Sequence, residues 1–391
     1  MVIDEYCMAM DRQQNRPVLL RELPDDAYRA QLLPQPTGAY PYRLDIREIL
    51  GDATWYLRER MSFHMVGDTG SPRHSAFQSR VAGALARQVD ERAGVSEKPA
   101  FLFHLGDLVY NYGEAKDYPQ QFFGLYEDYP APIFAIAGNH DADVNPDSSF
   151  VYESLDAFMD VFCDTYRRKV SFSDGSNRLS MVQPNVYWVL ETPLARFISL
   201  YSNVTKHGTV DEAQYQWLVE ELRYADTLRS EQALIICVHH PPYSADSNHG
   251  SSPAMLELLD RAFTESRVMP DLVVSGHAHN YQRFTRTFAD GTRVPFLVAG
   301  AGGYADLHRL ATPGDPRLVT VDPSLYDVQL ESHCDDRYGF LRIELEKEGD
   351  ELTLTGEYHT MASPAAMVGM QDTKLFERFV VPINQPAYSM F

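Results

Sequence analysis

From Ser62 onward one pattern recurs: a short apolar run, a glycine with a polar residue at its end, and a helical stretch after several of them. The runs are 63–66, 101–105, 133–137, 187–190, 197–200, 233–238, 272–275 and 296–299. This rhythm restricts the chain to a layered α/β architecture, in which loops beyond the carboxyl ends of the strands collect along one rim. Between the runs lie helix candidates. In 75–93, Phe77, Val81, Leu85 and Val89 recur every fourth residue and form one apolar face. The stretch 209–224 opens with Thr209 and Glu212, the spacing of a capping box, and puts Tyr215, Leu218 and Leu222 on one side. A third candidate is 252–263. Antiparallel strands are expected late, at 338–345, 352–358 and 376–381, and the charge-rich segment 306–335 reads as surface loop. The fold class expected is α/β (α+β), layered. Residues 1–58 read as an N-terminal extension draped on a main domain of residues 59–391, with core motifs in 62–305 and closing strands in 338–382.

The chain has 391 residues and a net charge of −21. A surface this acidic repels phosphate backbones and anionic lipid, so no nucleic-acid or membrane partner is expected. A small phosphorylated substrate would need a local positive centre, and bound cations provide one. Cys7, Cys163, Cys237 and Cys334 are far apart and form no paired motif. Cys237, in an apolar run, reads as a buried free thiol. The first 17 residues show no basic segment followed by an apolar one, so no signal peptide or transmembrane helix is read and a cytoplasmic location is expected.

Five blocks sit at the ends of apolar runs: Gly67-Asp68-Thr69-Gly70, Gly106-Asp107-Leu108-Val109-Tyr110, Gly138-Asn139-His140-Asp141, His239-His240-Pro241-Pro242-Tyr243 and Gly276-His277-Ala278-His279. Singly, each is an ordinary turn with a solvated polar residue. Together they deliver two carboxylates, an amide, a phenol and several imidazoles to one rim. These are the oxygen and nitrogen donors that suit two hard or borderline cations. The turn Gly300-Ala301-Gly302-Gly303 lacks the lysine and spacing of a phosphate loop and reads as a tight turn near the rim.

The order GDxG, GDxxY, GNHD, HxPxY and GHxH resembles the calcineurin-like metallophosphoesterase superfamily, and within it the purple acid phosphatase-like branch. Most of the superfamily carries DxH in the first block. Here Gly70 stands in that place, and Tyr110 stands where the branch has a phenolate ligand. The resemblance covers about residues 60–305. It implies a β-sandwich flanked by helices (αββα) and two metal ions. Asp68, Asp107, Tyr110 and His279 would hold the first, and Asp107, Asn139, His239 and His277 the second. Fe(III) is expected beside the hard phenolate of Tyr110, and Zn(II), Mn(II) or Fe(II) in the other position.

The activity implied is hydrolysis of phosphate esters, phosphomonoesters first, with water activated by the metals. His140 is the expected catalytic acid toward the leaving alkoxide. His249 and His240 are substrate-side candidates, although His240 could equally pack, and Asp141 could hold an imidazole from behind. Two other readings stay open: a phosphodiesterase built on the same site, and an inactive scaffold that keeps the fold. Residues 1–58 are too few for the fibronectin-like sandwich that precedes the catalytic domain in plant members. Tyr201-Ser202-Asn203 also lacks the acidic residue common after that strand.

Overall fold

The computed structural model describes residues 16–21, 33–73, 76–91, 97–203, 208–319, 325, 327–361 and 373–383. Fourteen strands run in chain order: β1 (Arg43–Asp45), β2 (Arg60–Val66), β3 (Pro99–His104), β4 (Ile133–Ala135), β5 (Trp188–Glu191), β6 (Ala195–Ser199), β7 (Ala233–Val238), β8 (Leu272–Ser275), β9 (Tyr281–Thr287), β10 (Arg293–Ala299), β11 (Val328–Cys334), β12 (Gly339–Glu348), β13 (Glu351–Met361) and β14 (Thr373–Ile383). The helices are α1 (Arg47–Leu50), α2 (Ala76–Glu91), α3 (Asn139–Ala142), α4 (Asp156–Phe162), α5 (Glu212–Asp226) and α6 (Pro253–Ser266).

The strands form two sheets. One has the order β1-β5-β6-β7-β8-β10-β9-β11, the other β14-β13-β12-β2-β3-β4. Pairs β2–β3–β4 and β6–β7–β8–β10 are parallel, as the runs alternating with helices require. The late strands pair antiparallel. Aromatic side chains fill the space between the sheets. Phe63 on β2 and Phe103 on β3 lie 5.0 and 5.6 Å from Phe197 on β6, ring centre to ring centre. Phe103 also faces Trp188 on β5 at 6.2 Å. Such pairs bury large areas and add to packing beyond area alone. α2 covers the outer face of the second sheet, where His64 meets Gln88 at 3.1 Å. α5 and α6 pack together on the first. The layers are therefore αββα.

The helix expected over 209–224 starts later than its sequence suggests. The cap is Asp211, whose carboxylate accepts the Gln214 N–H at 2.8 Å, not Thr209 with Glu212. Asp caps as well as Thr, and Asp211 directly precedes the first helical residue. Ser252 caps α6, with Pro253 in the first turn. The segment 306–335 is not all loop, because β11 pairs with β9. Its alternation of buried Val328 and Leu330 with polar neighbours was masked by nearby charges. Of residues 1–58, β1 adds an edge strand beside β5. Residues 1–15 and 22–32, with Cys7, lie outside the described residues. Cys163, Cys237 and Cys334 are buried free thiols. Among the described residues no helix is long and apolar enough to cross a membrane.

Glu221 on α5 ties helix to sheet: it pairs with Arg43 on β1 at 2.8 Å and with buried Arg196 on β6 at 2.7 Å. Removing one partner of a buried pair leaves an uncompensated charge. Glu221→Ala is expected to lower stability by about 3–5 kcal/mol, read as a lower urea midpoint with unchanged m-value.

Candidate metal centre

The carboxyl ends of β2, β3, β4, β7 and β8 converge, and the loop after each carries one of the five blocks. Asp68, Asp107 and His277 adopt positive φ of 59°, 56° and 68°. Non-glycine residues rarely do so, and here the strained conformation aims each side chain inward. The preceding glycines serve close approach. A Cβ on Gly138 would lie 2.0 Å from Asp107 Oδ1, and one on Gly276 would lie 2.7 Å from Asp68 Oδ2.

The donor atoms form two neighbouring groups. In one, Tyr110 Oη lies 3.3 Å from Asp68 Oδ1 and 3.1 Å from His279 Nε2, and the last two are 3.6 Å apart. In the other, Asn139 Oδ1 lies 3.2 Å from His239 Nε2 and 3.0 Å from His277 Nδ1. Ligand atoms of Asp107, His239 and His277 all lie within 4.8 Å of one another. Backbone carbonyls fix two of the rings. His239 donates Nδ1–H to Leu105 at 2.8 Å and His279 donates to Asp306 at 3.0 Å, so each presents Nε2 to the centre.

Whether cations fit is answered by the chemistry of this set. Asp68 and Asp107 are buried, and among the described residues no Lys or Arg pairs with either. Burial pushes the Asp68 carboxyl well above the usual range, with the Asp107 charge adding to it against the lowering effect of His239. Burial acts the same way on Asp107, but the charges of His239 and His140 outweigh it and hold the group low. Burial lowers His239, yet Asp107 reverses this and raises it to about 9. Burial and neighbouring imidazoles keep His277 and His279 well below the usual range, so both offer neutral lone pairs. Two buried carboxyl groups, an amide oxygen, a phenol and imidazoles form a set that suits cations.

A Cβ on Gly70 would meet the Leu108 carbonyl oxygen at 2.3 Å, so the loop leaves no room for an imidazole. The phenol of Tyr110 reaches Asp68 instead. Its backbone is bracketed by Gln121, which accepts the Tyr110 N–H at 2.9 Å and donates to its carbonyl at 2.7 Å.

The remaining sequence candidates fall in different places. His140 is half-buried, its ring 4.2 Å from that of Tyr110, and its Nδ1–H is given to the Asn111 carbonyl at 2.9 Å. The His249 ring lies 4.1 Å from His277, at the centre. His240 is buried, 2.9 Å from the Ser202 hydroxyl and 4.5 Å from the His277 ring. Asp141 supports backbone, not an imidazole: its carboxylate accepts the N–H groups of Gly138, Asp107, Leu108 and Val109 at 2.8–3.0 Å.

Sequence reasoning missed Tyr304, whose ring sits 4.3 Å from Tyr110 and 4.5 Å from His279. Its signal was its place directly after the Gly300–Gly303 turn. It also missed His308, stacked on His279 at 4.2 Å from within the segment read as loop. A cavity of about 560 Å³ lined by Trp55, Arg58, Arg196 and Gln232 opens at the amino ends of β6 and β7, away from this rim.

A family model described as calcineurin-like phosphoesterase matches residues 61–281, and the chain belongs to that family. Purple acid phosphatase 1 of Ipomoea batatas is 24% identical over 263 residues, 61% of this chain and 51% of its own length. Purple acid phosphatase 23 of Arabidopsis thaliana is 25% identical over 177 residues, 44% and 34% respectively. Purple acid phosphatase 22 of the same plant is 33% identical over 94 residues, 23% and 21%. The chain thus spans from about a fifth to half the length of these relatives. A solved structure described as GAP50, the anchor in the inner membrane complex of Plasmodium, superposes with a TM-score of 0.53 at 15% identity, over 84% of this chain and 90% of that one. At that identity the likeness is one of fold.

Asp141→Ala would leave buried N–H groups of two ligand loops unpaired. The expected result is a loss of about 1–3 kcal/mol or more together with weaker metal retention, although Asp141 is no ligand. Thermal midpoints and elemental analysis after gel filtration check both.

Proposed function

We propose that this calcineurin-like phosphoesterase hydrolyses phosphate esters, phosphomonoesters first, at a dinuclear centre of the purple acid phosphatase kind. The observation that carries the reading is the exchange at the first loop. Position 70 has no room for a side chain, while Tyr110 Oη lies within 3.3 Å of both Asp68 Oδ1 and His279 Nε2. Asp68, Asp107, Tyr110 and His279 would hold one cation, and Asp107, Asn139, His239 and His277 the other, with Asp107 shared. A hard phenolate favours Fe(III), and the amide with imidazoles suits Zn(II), Mn(II) or Fe(II). Two bound cations would supply activation of water and withdrawal of charge from the phosphoryl oxygens.

The side chains do the rest. Asn111 and Tyr110 hold the His140 ring from two sides, so Nε2 is the atom that passes a proton to the leaving alkoxide. His249 contacts the phosphoryl group from the opposite wall, beside His277. His240, packed behind His277, orients that ring. The substrate is a small phosphorylated molecule, in keeping with a net charge of −21 that repels larger polyanions.

Elemental analysis with a visible spectrum of the same sample tests the centre. Two metals per chain including iron, with a violet band that disappears in Tyr110→Phe, is the expected result. A band that survives Tyr110→Phe would remove the phenolate from the scheme. Asp107→Ala is expected to empty both positions. His140→Ala is expected to keep the metals and lose about 10²–10⁴-fold in kcat on a poor leaving group. Rates on a phosphomonoester and a diester with one leaving group separate the two substrate classes. Metal-free protein that stays inactive after metal addition would point to a scaffold.

A further inference from the structure

Asp246 is a fully buried carboxylate that the chemistry above does not use. It lies in the loop after His239, and three segments meet on it. Its Oδ1 accepts the N–H groups of Asn248 and His249 at 2.6 and 2.7 Å. Its Oδ2 accepts Asn280 Nδ2 at 2.8 Å, and Asn280 directly follows the ligand His279. His308 Nδ1 lies 3.5 Å from the same oxygen. The His308 backbone is tied in as well: its N–H goes to the His279 carbonyl at 3.1 Å, and its carbonyl accepts from Asn280 at 3.0 Å.

The imidazoles that these bonds fix make a continuous wall. His249 lies 4.1 Å from His277 and 5.1 Å from His308, and His308 stacks on His279 at 4.2 Å with 24° between the planes. Two of the four rings are the metal-ligand candidates. The other two come from loops with no regular structure of their own, both of which meet Asp246. A backbone bridge between Asp246 and Leu310 and a Ser247 N–H bond to the Arg309 carbonyl at 3.0 Å hold those two loops edge to edge.

We propose that Asp246 is a positioning residue for phosphate recognition. Its carboxylate locks the His249 loop and the His308 loop onto the metal-ligand loop, and so sets how tightly the centre holds a phosphoryl group. This rests on the phosphoesterase reading above and adds to it a wall of two imidazoles, His249 and His308, governed by one buried acid. The geometry also separates the two halves of the hub. An amide at position 246 keeps an oxygen for the Asn248 and His249 N–H groups. It also turns an NH2 toward Asn280 Nδ2, which needs an acceptor there and which also binds the His308 carbonyl. Asp246→Asn therefore loosens the His308 side selectively, while Asp246→Ala releases both.

The test uses the full chain reconstituted with Zn(II) and inorganic phosphate as the probe. Amide hydrogen exchange is followed in residues 244–252 and 304–310, with phosphate affinity by calorimetry and metal content by elemental analysis. In Asp246→Ala, exchange is expected to rise in both segments together, phosphate affinity to fall about tenfold, and metal content to hold. In Asp246→Asn, which keeps the fold if the alanine variant does not, the rise is expected in 304–310 alone, with a smaller loss of affinity. Asp246→Ala combined with His249→Ala is expected to be no weaker for phosphate than the weaker single variant, since both remove the same contact. Unchanged phosphate affinity, exchange confined to 244–252 in both variants, or additive losses would overturn the proposal. If the wild type binds phosphate but hydrolyses no ester, and both segments still loosen with loss of affinity, the hydrolase reading falls and the positioning role stands.

Discussion

The centre depends on the carboxylate of Asp141. It gathers the N–H groups of Gly138 from one loop and of Asp107, Leu108 and Val109 from another. The return bond runs from the His140 N–H to Asp107 Oδ1 at 2.9 Å, so each acid holds the other's loop. Burial and the Asp107 charge push the Asp141 carboxyl up to about 7 against the lowering effect of its backbone donors, and those donors hold the Asp107 loop in place. That is why Asp107 can be buried, strained in φ and still fixed to within hydrogen-bond tolerance. The conformation costs about 1–3 kcal/mol for each such residue and persists only because these bonds leave no alternative. Asp68 is treated alike on its own side, where the His277 N–H donates to its Oδ2 at 2.9 Å and the Gly106 carbonyl accepts its N–H at 3.0 Å.

The strength behind this arrangement lies in the sandwich. Phe63, Phe101, Phe103, Phe197 and Trp188 are all fully buried and stack or meet edge to face across the two sheets. Those contacts fix the strand ends, and the strand ends fix the loops. A site built from loops gains its precision from the rigid layer beneath it.

Much of this was legible in the sequence, for physical reasons that can be named. Short apolar runs between helical periods announce buried parallel strands, and seven of the ligand candidates follow such runs directly. The tail strands were read to within a few residues because their alternation is regular. What escaped reading has no period. Asp246 and His308 act through contacts between segments far apart in the chain, Gln121 acts across an irregular stretch of eleven residues, and nothing in their immediate neighbours marks them. Thr209 with Glu212 fitted a capping pattern, yet Asp211 offered an equivalent oxygen in the better place, a choice that depends on where the chain enters the helix. Glycine before each polar residue was read as freedom to turn. At Gly138 and Gly276 its use is the lack of a Cβ next to a carboxylate.

The two sheets also divide the chemistry between them. Asp68, Asp107, Tyr110 and Asn139 follow β2, β3 and β4 of the six-stranded sheet, and every one presents oxygen. His239, His277 and His279 follow β7 and β8 of the eight-stranded sheet, and every one presents nitrogen. A cation that takes both kinds of donor must therefore bridge the layers. Its binding energy would add directly to the cohesion of the sandwich, since a ligand that favours the folded state stabilises it by mass action. The side-chain donor atoms of the two sheets lie 3.0–3.6 Å from one another across this seam. Hydrogen bonds already join the layers at that end, from the Gly67 N–H to the Ala299 carbonyl at 2.9 Å, from His239 to the Leu105 carbonyl at 2.8 Å and from the His277 N–H to Asp68 at 2.9 Å, so the donor set sits on a seam that the fold itself closes.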